Sequence, residues 1–225
     1  MKHVAAALLV GLMVGGCGGT TWINKKYKDR VDPKAERVLL MPVVAHRFPP
    51  AMRAEVEKLV FGELANRFGH LTVSVFPVKD KLEPSGFGNL SWHIAQGVYR
   101  RGRYAKDPDI RGEYYDWLDD LPGHATKFLK WIKGALAEAG AAPGGNASYR
   151  YIMAIYVELT KRAVDKKLGK VIHFRVVGGV YDAQESRIVA ATWLEYRTKP
   201  TMAAVRRKLT GVGKRLRVAL RPVLQ

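Results

Sequence analysis

The chain has 225 residues, 48% of them hydrophobic, which is enough for one domain with a sizeable core. A single cysteine excludes a small disulfide-stapled scaffold, so the fold depends on that core. The 38 lysines and arginines outnumber the 20 aspartates and glutamates, and the formal net charge of +18 at pH 7 favours anionic partners.

The amino-terminal segment has the layout of a secretory signal peptide. Lys2 and His3 precede an apolar stretch over residues 4–14, and small residues follow. A helix that crosses a bilayer needs roughly 20 apolar residues, so this shorter stretch does not predict a permanent membrane span. The sequence VGGC at residues 14–17 resembles the lipobox of bacterial lipoproteins, in which an aliphatic residue and two small residues precede the lipidated cysteine.

This resemblance implies cleavage between Gly16 and Cys17 and attachment of lipid to the Cys17 sulfur. Gly18 stands where an aspartate argues for retention in the inner membrane, so the resemblance favours the outer membrane, facing the periplasm. An unmodified thiol in a cleaved leader is the alternative. The predicted organisation is a signal peptide over residues 1–16, a lipidated cysteine and polar tether over 17–36, and one folded domain over 37–225.

The folded domain is predicted to begin with a β-α-β unit. The continuous apolar run from Val38 to Val44 is typical of a strand covered on both faces, and Pro42 places it at an edge or a bulge. Apolar residues at helical spacing predict a helix from Ala51 to Phe68, and Leu71 to Phe76 is predicted as a second, parallel strand.

A helical and aromatic insertion is predicted over about residues 77–125. Short helices are expected at Leu90 to Tyr99 and at Glu113 to Leu118, followed by a longer helix at Thr126 to Ala139. Aromatic side chains are favoured anchors at protein interfaces, which makes part of this segment a candidate partner surface. Burial of the same rings against the sheet is the alternative. The candidate residues are Trp92, Tyr114, Tyr115 and Trp117.

The last third of the chain is predicted to be an antiparallel three-strand meander and a closing amphipathic helix. The segments YIMAIYVELTKRAV, KVIHFRVVGGVYD and RIVAATWLEYRTK are rich in β-branched and aromatic residues and are joined by short polar turns. The helix has a buried stripe from Val205 to Leu220, and its outward cations either contact anionic head groups and glycan or form a solvated face. The candidate anion-binding residues are Arg206, Arg207, Lys214 and Arg217.

The predicted fold class is therefore α+β, with a single mixed sheet. Its element order resembles the domain shared by the TolB amino-terminal domain, the activator lipoproteins of penicillin-binding proteins and the curli-secretion lipoprotein. The resemblance is carried by RVLLMPVV, the first helix, LTVSVF, and the meander with its closing helix. It implies the architecture and transfers no activity.

No catalytic residue, metal site or cofactor is predicted. The histidines lack helical metal-ligand spacing, and in the calcium-like segment from Asp107 to Leu118, Arg111 and Leu118 occupy ligand positions. The predicted function is a membrane-anchored accessory or binding module whose partner is anionic lipid, peptidoglycan or an envelope protein, with no nucleic acid. The alternatives are an enzyme acting on cell-wall polymer and a subunit of an oligomeric secretion assembly.

Overall fold

A computed structural model describes residues 19–23, 36–95, 97, 116–142, 148–167, 169–221 and 223–224. Its strands are β1 (Gly19–Ile23), β2 (Glu36–Leu40), β3 (Val44–His46), β4 (Thr72–Ser74), β5 (Ser148–Asp165), β6 (Gly169–Asp182) and β7 (Arg187–Thr198). Its helices are α1 (Pro50–Phe68), α2 (Lys79–Leu82), α3 (residues 90–95), α4 (Asp116–Glu138), α5 (Met202–Leu209) and α6 (Val212–Leu220).

The seven strands form one mixed sheet in the order β1-β7-β6-β5-β2-β4, with β3 also paired to β5. Strand β2 is parallel to both β4 and β5, whereas β5, β6 and β7 are antiparallel to one another. The α+β class with a single sheet, the β-α-β start and the three-strand meander are thus confirmed.

The predicted first strand is divided in two. Strands β2 and β3 pair with successive parts of β5, and the residues from Met41 to Val43 separate them. Pro42 has no backbone N–H to donate, so the ladder breaks at this position. Pro50 then begins α1, where a missing N–H has no consequence because the first turn of a helix leaves its N–H groups unpaired.

The segment predicted as a polar tether contains a strand. Strand β1 pairs antiparallel with β7, from Gly19 opposite Leu194 to Ile23 opposite Ala190. Its residues GTTWI include threonine, tryptophan and isoleucine, which favour strands, and they cover an outer edge of β7 that would otherwise present unpaired backbone groups. The folded domain therefore begins earlier than residue 37.

A single helix replaces two predicted ones. The helices expected at Glu113 to Leu118 and Thr126 to Ala139 are joined as α4, which continues through Pro122. One proline removes a single backbone donor, and here the apolar stripe of the helix, packed on the sheet, outweighs that loss.

Both faces of the sheet are covered. Helices α1, α5 and α6 pack on one face, where their buried residues are Val56, Val60, Leu64, Phe68, Val205, Leu209, Val212, Leu216 and Leu220. Helices α3 and α4 pack on the other face through Leu90, Ile94, Phe128, Ile132 and Leu136. The result is a three-layer domain with two hydrophobic cores.

The closing helix is interrupted. The predicted stripe from Val205 to Leu220 is buried throughout, but the backbone turns between α5 and α6 at Gly211, whose φ is +76°. Helix α6 then approaches α1 so closely that a Cβ atom at Gly213 would lie 2.2 Å from the carbonyl oxygen of Glu63.

We expect Gly213→Ala to destabilise the protein by about 1–3 kcal/mol, because a backbone carbonyl has to move to admit the methyl group. The matched control is Gly134→Ala on α4, where nothing lies within 4 Å of the added atom. Alanine is the better helix former, so the control is expected to gain about 0.5–1 kcal/mol. Urea unfolding measures both, and equal stability of the two variants would contradict the close contact between α1 and α6.

Candidate functional site

The hairpin formed by β5 and β6 extends past the strands next to it. Its pairing continues to Asp165 opposite Gly169, whereas β7 ends opposite Ile172 and β3 ends opposite Glu158. At about 3.4 Å per residue, the hairpin extends roughly 10 Å beyond the end of β7. We call the described residues 160–167 and 169–171 the hairpin arm.

The hairpin arm is strongly basic. Its exposed cations are Lys161, Arg162, Lys166, Lys167 and Lys170. Its one acidic residue, Asp165, forms an ion pair with Arg197 of β7 and accepts a hydrogen bond of 2.8 Å from the backbone N–H of Lys167. The carboxylate therefore shapes the turn and binds the arm to the sheet, and the lysines dominate the outer charge.

An apolar component accompanies this charge. Val164 is 82% exposed, an unusual state for a large aliphatic side chain in a strand. Beside it, a groove of about 440 Å³ lies between the arm and the start of α1. The apolar lining of the groove includes Phe48, Met52, Leu159, Ala163, Ile172 and Pro200. Arg162 and Lys170 also line it, so the groove joins an apolar floor to two cations.

The start of β1 lies toward the same end of the sheet. Strand β1 is antiparallel to β7, and its first residue, Gly19, lies opposite Leu194. Strand β7 continues from Leu194 to Thr198, which lies opposite Ile172 at the base of the hairpin arm. Cys17 precedes Gly19 by two residues, which span at most about 7 Å. Cys17, the predicted lipidation site, lies outside the described residues.

The predicted carboxy-terminal basic residues occupy a separate surface. Arg207 on α5 and Lys214 and Arg217 on α6 are exposed. Arg206 forms an ion pair with Glu55 of α1, and its charge is therefore partly neutralised within the domain. Three of the four predicted cations remain as an exposed group on the outer side of the helical layer.

The structure describes only part of the predicted aromatic surface. Trp92 is half-buried, and its Nε1–H donates a hydrogen bond of 3.3 Å to the hydroxyl of Tyr156. Tyr114 and Tyr115 lie outside the described residues, and Trp117 lies in α4 without a described side chain. Trp92 is therefore hydrogen-bonded to the sheet, and the interface role of all four residues stays a prediction.

Two histidines, His93 and His124, lie close to each other, and His93 also contacts Trp92. The ring of His93 meets the rings of both Trp92 and His124 edge-on, and His124 stacks on Phe87. Burial, and then the nearby His124, lower the pKa of His93 below its ordinary value. Within the described part of the chain, no three histidine, cysteine, aspartate or glutamate residues are grouped to hold a metal ion.

The buried acidic residues are engaged in holding strands together. Asp182 accepts hydrogen bonds from Nε and a terminal nitrogen of Arg150 at 3.0 and 2.8 Å, and Arg150 also contacts Glu36 at 2.6 Å. Further along β5 and β6, Glu158 forms an ion pair with Arg175. These pairs connect β2, β5 and β6, which is a structural use of buried charge.

Sequence reasoning overlooked the hairpin arm as a site. The turn DKKLG was identified, but only as a connection between strands. The signal available was the concentration of lysines and arginine on both sides of that turn. What the sequence alone does not show is that the neighbouring strands stop short, which leaves these residues projecting.

No protein-family model and no curated protein matches the chain. Among solved structures, a PelC dodecamer from Paraburkholderia phytofirmans matches at 11% identity and a TM-score of 0.42, over 92% of this chain and 98% of that one. A hypothetical protein from Chlamydia trachomatis matches at 10% identity and a TM-score of 0.32, over 82% and 98%. Likeness at these identities and TM-scores assigns no residue a role. No helix among the described residues is long and apolar enough to cross a membrane.

Proposed function

We propose that the protein is a lipid-anchored lipoprotein of the bacterial cell envelope, on the periplasmic side of the outer membrane, and that its α+β domain is a binding or accessory module. The observation that carries this proposal is the position of the lipobox cysteine. Cys17 stands two residues before β1, and β1 is hydrogen-bonded into the main sheet. Lipid at Cys17 would hold the folded domain directly at the membrane.

The distribution of charge supports a binding module over an enzyme. The buried carboxylates Asp182 and Glu158 each pair with an arginine inside the sheet. Two groups of exposed cations lie on the hairpin arm and on the outer side of α5 and α6, and further exposed cations lie on α1 and α4, among them Lys58, Lys127 and Lys130. Basic surfaces of this kind attract anionic head groups, cell-wall carboxylates or acidic faces of other proteins.

The accessory role is tested by crosslinking in living cells from photoreactive residues at Trp117 and Arg207. We expect a discrete protein adduct in the parent chain and its loss in a Cys17→Ala background, because the module meets its partner only at the membrane. A self-adduct would instead indicate an oligomeric assembly. Adducts to glycan alone, or no adduct, would contradict a protein partner at these two positions and favour an enzyme acting on cell-wall polymer.

A further inference from the structure

The hairpin arm combines three properties that a membrane-contacting surface needs. It projects beyond the neighbouring strands, it carries five exposed cations, and it exposes the aliphatic side chain of Val164. Cations next to an anionic leaflet are attracted to its phosphates, while an exposed aliphatic group gains by leaving water at the boundary of the acyl chains.

We infer that the hairpin arm and its adjoining groove form the surface with which this protein lies on an anionic phospholipid bilayer. In this arrangement Lys161, Lys166 and Lys167 contact head-group phosphates, and Val164 enters the interface between them. The long lysine side chains suit this position, because their methylene stems cover apolar surface while the ammonium groups stay at the phosphates. The occupant is the bilayer itself, and the charge complementarity of the arm favours it over a neutral surface.

The groove extends this surface toward α1. Its floor is apolar, and Arg162 and Lys170 stand among its lining residues. An apolar floor beside two cations matches the two ends of one phospholipid molecule. A phosphate near Arg162 and Lys170 would place the upper part of an acyl chain over the side chains of Met52 and Leu159.

The position of Gly19 favours the hairpin arm over a second basic surface, which lies on α6. The outer side of α6 also exposes a valine, Val218 at 68%, together with Lys214 and Arg217. The arm, however, is at the sheet end toward which the start of β1 at Gly19 lies, and it projects beyond β7. This part of the inference rests on the proposed anchor at Cys17.

The test compares the depths of the two exposed valines. Full-length chain is produced in cells, processed there, purified from membranes and reconstituted in vesicles of phosphatidylcholine with phosphatidylglycerol. Val164→Cys and Val218→Cys each supply one labelling site for an environment-sensitive fluorophore, since a lipidated Cys17 cannot react. We expect lipids brominated near the head group to quench the label at residue 164 several-fold more strongly than the label at residue 218.

Charge variants provide the matched control. Lys166→Glu with Lys167→Glu is expected to reduce quenching at residue 164 at least threefold, as is omission of phosphatidylglycerol. Lys214→Glu with Arg217→Glu changes the net charge by the same amount and is expected to leave the quenching unchanged. Equal or stronger quenching at residue 218, no effect of the arm variant, or a response to lipopolysaccharide but not to phospholipid would overturn the inference.

Failure of the anchor gives a different result. The parent chain has no cysteine other than Cys17, so it takes up no thiol-reactive label if that sulfur is lipidated. Labelling of the parent chain would therefore refute the proposed lipoprotein. A parent chain that takes up no label and whose mass includes lipid on Cys17, together with an unquenched label at residue 164, would refute the hairpin surface alone.

Discussion

The Cys17→Ala variant is expected to lose all fatty-acid labelling and to leave the outer-membrane fraction. Alanine offers no sulfur for the lipid, and the apolar stretch at residues 4–14 is shorter than the roughly 20 residues that cross a bilayer. Several acyl chains make an anchor stable because each buried methylene adds about 0.8 kcal/mol. Without them, only the attraction between basic residues and anionic lipid remains.

That residual attraction is sensitive to salt, so the comparison is made after a high-salt wash. We expect the amount of variant left in the washed membranes to be about tenfold or more below that of the parent chain, because the variant buries no acyl chains in the bilayer. Gly16→Ala is the control, since alanine keeps the small residue that the lipobox requires. Persistence of Cys17→Ala in washed outer membranes would show that something other than this cysteine holds the protein there.

The Asp182→Asn variant is expected to lose about 3–5 kcal/mol of unfolding free energy at neutral pH, the usual cost of removing one member of a buried ion pair. Asp182 is fully buried and accepts two hydrogen bonds from Arg150. It also accepts bonds of 3.0 Å from the backbone N–H groups of Gln184 and Glu185, which form the turn to β7. Asparagine leaves the guanidinium facing a neutral amide.

The loss depends on pH. Burial by itself raises the pKa of the Asp182 carboxyl, but the hydrogen bonds from Arg150 and from the turn outweigh burial and leave this pKa below its ordinary value. The ionised carboxylate therefore stabilises the fold at pH values above about 4, the ordinary carboxyl pKa, and this contribution disappears as the pH falls through the lowered pKa. The difference between parent and variant in urea unfolding should shrink toward pH 3.

Glu185→Gln is the matched control for this measurement. The Glu185 carboxylate is about one-third exposed and lies 3.4 Å from Arg150. Water screens such a contact, so the change should cost less than about 1 kcal/mol. Equal losses in the two variants would mean that Asp182 is not the buried centre of the network.

The elements that follow one pattern along the chain were predictable. The stripe from Val205 to Leu220, the helix ending at Phe68 and the three meander strands each depend on their own periodicity, and the structure confirms them. Short elements were harder to predict from the sequence. The five residues Gly19–Ile23 form a strand because they pair with the edge of β7. Strand β7 is far away in sequence, so the residues around Gly19–Ile23 do not predict this pairing.

The candidate site was less predictable than the fold. Charge density in α5 and α6 drew attention to Arg206, yet Glu55, far away in sequence, pairs with it. The hairpin arm was identified only as a turn, because its projection depends on where β3 and β7 stop. Surfaces arise from the relative lengths of elements, which a pattern within one element does not reveal.

The lipid anchor at Cys17 is tested by the mass of the amino-terminal peptide of the protein extracted from membranes. We expect a peptide that begins at Cys17 and carries the added mass of diacylglycerol on its sulfur. A peptide that begins elsewhere, or one that contains Cys17 as a free thiol, would contradict the lipid anchor and with it the proposed place of this domain at the membrane.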